Sequence, residues 1–252
     1  MEERFADIGA TAGVMRTFFV HPRRHGPFPA LILYMDFWGA REELYDIARW
    51  TAAVGYCCAV PDLYYRQGAV HNDIRDRDGR MVSLNRLDEA ARARVLAPLQ
   101  KLSDAEAMDD TRAVLGFLAG DKAVRAGAKG CFGYCLGGRL AMRAAGSFPG
   151  EIRAGASMHG SRLVTDGDRS PHLLAGKIQG EFYCGFAEHD PYTPADTPAR
   201  IAAAMASSAA AYSYEIHAGT EHGYALPNRD IHDKAATLRD WETILAMFRR
   251  QL

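Results

Sequence analysis

The amino-acid sequence predicts an α/β fold in which helices cover both faces of a mostly parallel central sheet. Three observations carry the prediction. Short apolar runs alternate with amphipathic stretches of helical length, the rhythm of strand and crossover helix. The chain has 252 residues, which suits one domain over residues 1–252. Apolar residues make up 48% and charged residues 24%, enough for a sizeable core under a soluble surface, which argues against a disordered or fibrous chain.

Along the chain, residues 1–10 carry Glu2, Glu3, Arg4 and Asp7 and lack the apolar stretch of a secretory leader or a membrane span, so the protein is expected in the cytoplasm. Residues 14–20, 30–35 and 57–61 are short apolar runs that read as strands, with a helix over 42–53. After a long polar interruption come a helix (104–118), a strand (128–132), a helix (136–145), strands (154–158 and 181–186), a helix (198–206) and a last strand (212–217). The final helix spans 231–250, where Ile231, Ala235, Leu238, Trp241, Ile244, Leu245 and Phe248 recur at helical spacing and mark one packed face. No internal repeat is visible.

The interruption is residues 64–101, rich in arginine (Arg66, Arg75, Arg77, Arg80, Arg86, Arg92, Arg94). A connection this long is expected to be a lid or binding loop, or else a solvated excursion with its own short helix. Asp73, Asp76, Asp78, Asp88 and Glu89 offset the arginines and weaken any anion site there. Over the whole chain 30 Lys and Arg face 31 Asp and Glu, so no electrostatic footprint for nucleic acid or anionic membrane exists and a small-molecule partner is expected. Cys57, Cys58, Cys131, Cys135 and Cys184 form an odd set without finger spacing and are expected to be reduced thiols, mostly in the core.

The segment 128–140 reads as a strand, then Gly133-Tyr134-Cys135-Leu136-Gly137, then a helix. In the corresponding serine motif the nucleophile sits on a strained strand-to-helix turn whose neighbours must be small, and Gly133 and Gly137 meet that need. A cysteine here stands at a helix N-terminus, where the peptide dipole favours the thiolate. Cys135 is therefore the candidate nucleophile of an α/β-hydrolase fold, the plainer account being a structural thiol beside a glycine-rich turn. Cys131, four residues earlier in the strand, reads as core.

A nucleophile needs a base, and this fold places an acid and then a histidine after later strands. His222 follows the 212–217 strand and precedes the last helix. Asp190 ends the 181–186 region before Pro191, with Glu188 and His189 as the nearest rivals for acid and base. The remaining histidines, His21, His25, His71, His159, His172, His217 and His232, lack metal-site spacing, and no glycine-rich phosphate loop follows the first strand, so neither metal nor nucleotide cofactor is expected.

Together Gly133-Tyr134-Cys135-Leu136-Gly137-Gly138, Pro61-Asp62-Leu63-Tyr64, Glu188-His189-Asp190-Pro191 and His222-Gly223-Tyr224-Ala225 resemble the dienelactone hydrolase (carboxymethylenebutenolidase) family over nearly the whole chain. The resemblance implies Cys135 as nucleophile, His222 as base and Asp190 as orienting acid, with an oxyanion hole from the backbone N–H groups of Phe37 and Leu136. Asp36 stands where the family carries a glutamate that helps activate the thiol. Leu226 stands where members acting on dienelactone carry an arginine that holds the substrate carboxylate, with Arg229 three positions further and Arg92 or Arg94 near the family's other such arginine. Trp38, Phe37, Tyr64 and Tyr65 are expected to line an aromatic pocket or else to be core.

These residues predict acyl transfer: the Cys135 thiolate attacks an ester or lactone carbonyl, a thioester acyl-enzyme forms, and a water activated by His222 releases the acid. A thiolate is also a good leaving group, so lactones and activated esters suit it better than amides. Rival readings keep the triad for a phosphotriester, thioester or haloacid, or make the chain a non-catalytic binder or thiol sensor. A monomer or small homo-oligomer is expected.

Overall fold

A computed structural model describes residues 1–24, 26–70 and 72–252, which leaves His25 and His71, two of the histidines weighed for metal spacing, outside the described residues. Eight strands form one sheet: β1 (Glu2–Ala10), β2 (Gly13–His21), β3 (Ala30–Tyr34), β4 (Cys57–Pro61), β5 (Lys129–Tyr134), β6 (Ile152–Met158), β7 (Glu181–His189) and β8 (Ala211–Glu221), in spatial order β1-β2-β4-β3-β5-β6-β7-β8. From β4 to β8 all neighbours are parallel, while β2 runs antiparallel to both β1 and β4. This is the α/β-hydrolase fold that the sequence predicts.

The helices are α1 (Glu42–Ala53), α2 (Glu89–Gln100), α3 (Asp104–Gly120), α4 (Leu136–Ser147), α5 (Thr197–Met205) and α6 (Lys234–Gln251). α3 packs on α4, and α1 meets α6 through Trp50 and Trp241, whose rings lie 4.5 Å apart edge to face. Between them β3, β4 and β5 are buried at every residue, as strands covered on both faces must be, and this explains their uninterrupted apolar runs. No helix among the described residues is long and apolar enough to cross a membrane.

Four elements differ most from the sequence reading. β1 is an extra strand, paired residue for residue with β2 from Glu2–His21 to Ala10–Gly13. It is an edge strand, mostly exposed, so its polar residues show no apolar run; Phe5 holds it down against Phe18 and Tyr45. β7 and β8 run three and four residues beyond the expected ends, to His189 and Glu221, which brings Asp190 and His222 immediately after them. α6 begins at Lys234 instead of residue 231 because the Asp233 carboxylate caps it, accepting from Ala236 N at 2.8 Å.

The 64–101 segment contains α2 and two short 3₁₀ turns, Tyr65–Gln67 and Leu84–Arg86. It carries Met81, Leu84, Leu87 and Val95 onto Phe37, Trp38 and Cys135 as a second apolar cluster apart from the main core. Two of its arginines fasten it to the rest of the molecule. Arg66 makes two hydrogen bonds to buried Asp110, and Arg86 reaches Asp230 at 2.8 Å and Glu221 at 2.9 Å.

Candidate active site

Three loops at the carboxyl ends of β5, β7 and β8 bring Cys135, Asp190 and His222 together, the edge at which open parallel sheets bind ligands. Cys135 turns the chain from β5 into α4 with φ 54°, a conformation that a non-glycine residue rarely adopts. The turn fits because its flanks are bare. A Cβ on Gly133 would lie 2.4 Å from the carbonyl carbon of Gly137, and one on Gly137 would lie 2.3 Å from the Tyr34 carbonyl oxygen. Cys135 is 7% exposed, and its Sγ–H donates to Ser161 Oγ at 3.7 Å.

His222 Nδ1 lies 2.7 Å from Asp190 Oδ2, and the other Asp190 oxygen accepts the Tyr192 N–H at 2.8 Å, which fixes the carboxylate. His222 Nε2 is buried and makes no hydrogen bond of full geometry, yet the Cys135 thiol is near enough to act on the ring both as a charge and as a hydrogen-bond partner. Burial alone would push this imidazole's pKa down. When Cys135 is ionised its charge, with Asp190 behind the ring, outweighs burial and lifts the pKa to about 10. The ring stands between Tyr192 and His159, whose centroids lie 4.8 and 5.0 Å away at steep angles. His159 is fully buried, neither ring nitrogen has a hydrogen-bond partner among the described residues, and burial holds its pKa well below the ordinary value, so it is a neutral ring.

Among the described residues no acceptor takes the backbone N–H of Phe37 or of Leu136, the two donors expected for an oxyanion. Phe37 is itself fixed from behind, since Tyr64 O–H donates to its carbonyl at 3.0 Å. Tyr65 instead donates to Asp110, away from the loops.

Asp36, at the expected thiol-activating position, is fully buried and engaged elsewhere. Its oxygens accept from Trp38 N (3.0 Å), from Arg41 Nη1 and Nη2 (2.6 and 3.1 Å) and from Arg229 Nη2 (3.2 Å), and none of these bonds involves Cys135. Trp38 is buried against Phe37, with the Arg229 guanidinium 5.0 Å from its ring centre. Leu226 belongs to the main core. Arg229 lies beside His222, Phe37 and Tyr192 around a cavity of about 10 Å³, room for about one water molecule, and its buried Nε and Nη1 have no partner among the described residues.

The rivals lie at the surface: His189 is 66% exposed, and Glu188 pairs with it and accepts the Gly219 N–H. Arg92 bonds carbonyls of its own segment and Arg94 is exposed. The other four cysteines are buried free thiols, and burial pushes Cys57, Cys58 and Cys184 up to about 12. Sequence reasoning did not single out Ser161, Tyr192, His159 or the buried guanidinium of Arg229 for the site. Of these only Arg229 had a signal, its nearness to His222 in the chain.

A model described as "Dienelactone hydrolase family" matches residues 15–252. A Methylorubrum extorquens protein named "Putative carboxymethylenebutenolidase" is 24% identical over 94% of this chain and 77% of its own. A Bradyrhizobium protein named "Probable 2-oxo-3-(5-oxofuran-2-ylidene)propanoate lactonase" is 23% identical over 98% and 94%. The solved structure of a "Putative Dienelactone Hydrolase" from Klebsiella pneumoniae superposes with a TM-score of 0.83 at 21% identity, covering 99% of this chain and 98% of that one.

Proposed function

The chain belongs to the dienelactone hydrolase family, an enzyme family of the carboxylic ester hydrolase class, and from that premise we propose that it opens small lactones or esters with a Cys135–His222–Asp190 triad. One observation carries the proposal: a cysteine held at φ 54° on a strand-to-helix turn, beside an imidazole whose far nitrogen lies 2.7 Å from a fixed carboxylate.

The thiol proton passes to His222 Nε2, and Asp190 holds the ring and supports the imidazolium that results. The thiolate attacks the carbonyl carbon, and the oxyanion settles between the unengaged N–H groups of Phe37 and Leu136. Collapse breaks the C–O bond, and the leaving oxygen takes the proton from His222 to give a thioester at Cys135. His222 then removes a proton from a water that attacks the thioester, and the acid leaves as the thiol is restored. Arg229 offers two unpartnered N–H donors beside this path and holds an acceptor on the substrate's acyl portion, a task that Leu226 in the core leaves to it. The 64–101 segment is the lid of the site, and the five free thiols suit a reducing compartment such as the cytoplasm.

Turnover of p-nitrophenyl acetate by wild type and by Cys135→Ala tests the reading. The variant should fall by at least about a thousandfold, as expected when a triad nucleophile is removed. Equal rates would overturn it.

A further inference from the structure

Three non-glycine residues among those described have left-handed backbone: Cys135 (φ 54°), His159 (φ 38°) and Arg162 (φ 53°). All three meet at one point, although 159–162 lies more than twenty residues from the turn at Cys135. Such conformations cost energy and persist only where surrounding contacts enforce them. Here the contacts are explicit. His159 N donates to Gly185 O at 2.8 Å, Ser161 N to Cys135 O at 3.1 Å and Arg162 N to Tyr192 O at 3.4 Å, while Thr193 Oγ1 donates to Gly160 O at 3.2 Å. Between the two left-handed residues stands Ser161. Its hydroxyl accepts the Cys135 thiol proton at 3.7 Å and makes no other hydrogen bond among the described residues.

We infer that Ser161 is a further catalytic residue of the site, the hydroxyl that holds the resting Cys135 thiol as acceptor and then turns to donate to the thiolate. The inference rests on the nucleophile reading above. A hydroxyl has both a donor and acceptor lone pairs, so when the S–H proton moves to His222 Nε2 the Ser161 O–H rotates onto the sulfur without moving the backbone. A carboxylate has no proton to offer a thiolate. The nearby carboxylate, Asp36, is in any case occupied by four donors from Trp38, Arg41 and Arg229. The bond from Ser161 N to the Cys135 carbonyl ties the hydroxyl's position to that of the sulfur. Among the described residues the other titratable or charged groups coupled to the sulfur are His222, Arg139, Arg229, Tyr64 and Tyr192, and the Ser161 hydroxyl bonds none of them.

The test is the rate of alkylation of Cys135 by iodoacetamide against pH, read by peptide mass so that the four buried thiols do not interfere. In Ser161→Ala the midpoint should move up by about one pH unit and the rate at neutral pH should fall about tenfold, the loss of one hydrogen bond to a charged group. Ser161→Thr, which keeps the hydroxyl, should restore most of the rate. Thermal melts accompany both variants, and if Ser161→Ala melts early Ser161→Gly carries the same comparison. An alanine or glycine variant with the wild-type alkylation curve overturns the inference. If Cys135→Ala is inactive on p-nitrophenyl acetate in that event, the triad reading stands and this one alone fails. If Cys135→Ala is active, the nucleophile reading fails first.

Discussion

Asp190 holds one nitrogen of His222, and the other faces Cys135, so the charge on the ring depends on the charge on the sulfur. Burial would lower the imidazole's pKa and the thiolate raises it, to about 10 against an ordinary 6.5. Removing the thiolate in Cys135→Ala therefore leaves burial opposed by Asp190 alone, and the pKa of His222 should fall well below 10 when followed by NMR of the ring protons. The sign carries over to stability. A raised folded-state pKa contributes stability that is fully present below 6.5 and is lost as pH rises through about 10, so the stability of wild type relative to Cys135→Ala should shrink across that window in urea titrations. A ring that still titrates near 10 without the sulfur would refute this account. The meeting of Cys135, Asp190 and His222 was legible from motif and chain order because each follows a strand that declares itself. The bond between Asp36 and Arg229 was not, since the two are 193 residues apart and no local pattern encodes that meeting.

At the scale of elements, the strand-to-helix turn was readable because its steric demand is written as glycine. Gly137 packs so closely on the end of β3 that any side chain meets backbone, which cannot swing aside. Gly137→Ala should therefore destabilise the protein by about 3 kcal/mol or more and remove activity, as overpacked or strained core positions do. Gly116→Ala in α3, where a Cβ meets nothing, serves as the control and should melt at or slightly above the wild-type temperature. Equal melts for the two variants would contradict the packing argument. The elements that escaped the sequence reading had weaker signatures. β1 exposes most of its residues at the sheet edge, and α2, expected only as an unplaced short helix, buries only Val95, so neither shows the apolar period by which strands and helices are read. The bend at 159–162 left no trace at all, because left-handed backbone at histidine and arginine is imposed by neighbours and not by those residues' own preferences.

For the whole molecule, the cavity beside His222 measures about 10 Å³, too small for an ester, so under the lid role proposed above the 64–101 segment moves before a substrate binds. The fastenings show where it would give. Met81 forms an isolated bridge with the 228–230 turn through Met81 N to Asn228 O (2.7 Å) and Asp230 N to Met81 O (3.2 Å), and Asp230 also receives Arg86 Nη1 and the Ser83 hydroxyl. Half-buried Asp230 would have its pKa raised by burial, but the bonds from Ser83 and Arg86 prevail and hold it below the ordinary carboxylate value. The clasp is therefore present above that ordinary value and released only as pH falls through the lowered one. Asp230→Asn keeps the shape and removes the charge. It should leave the thermal midpoint within a few degrees of wild type, because Arg86 is largely exposed and such pairs contribute little to stability. It should nevertheless speed amide exchange across residues 72–88 severalfold and raise KM more than it lowers kcat, since a loosened cover costs binding before it costs chemistry. Unchanged exchange in that stretch would mean that the clasp does not govern opening, and that substrate enters by another face of the site.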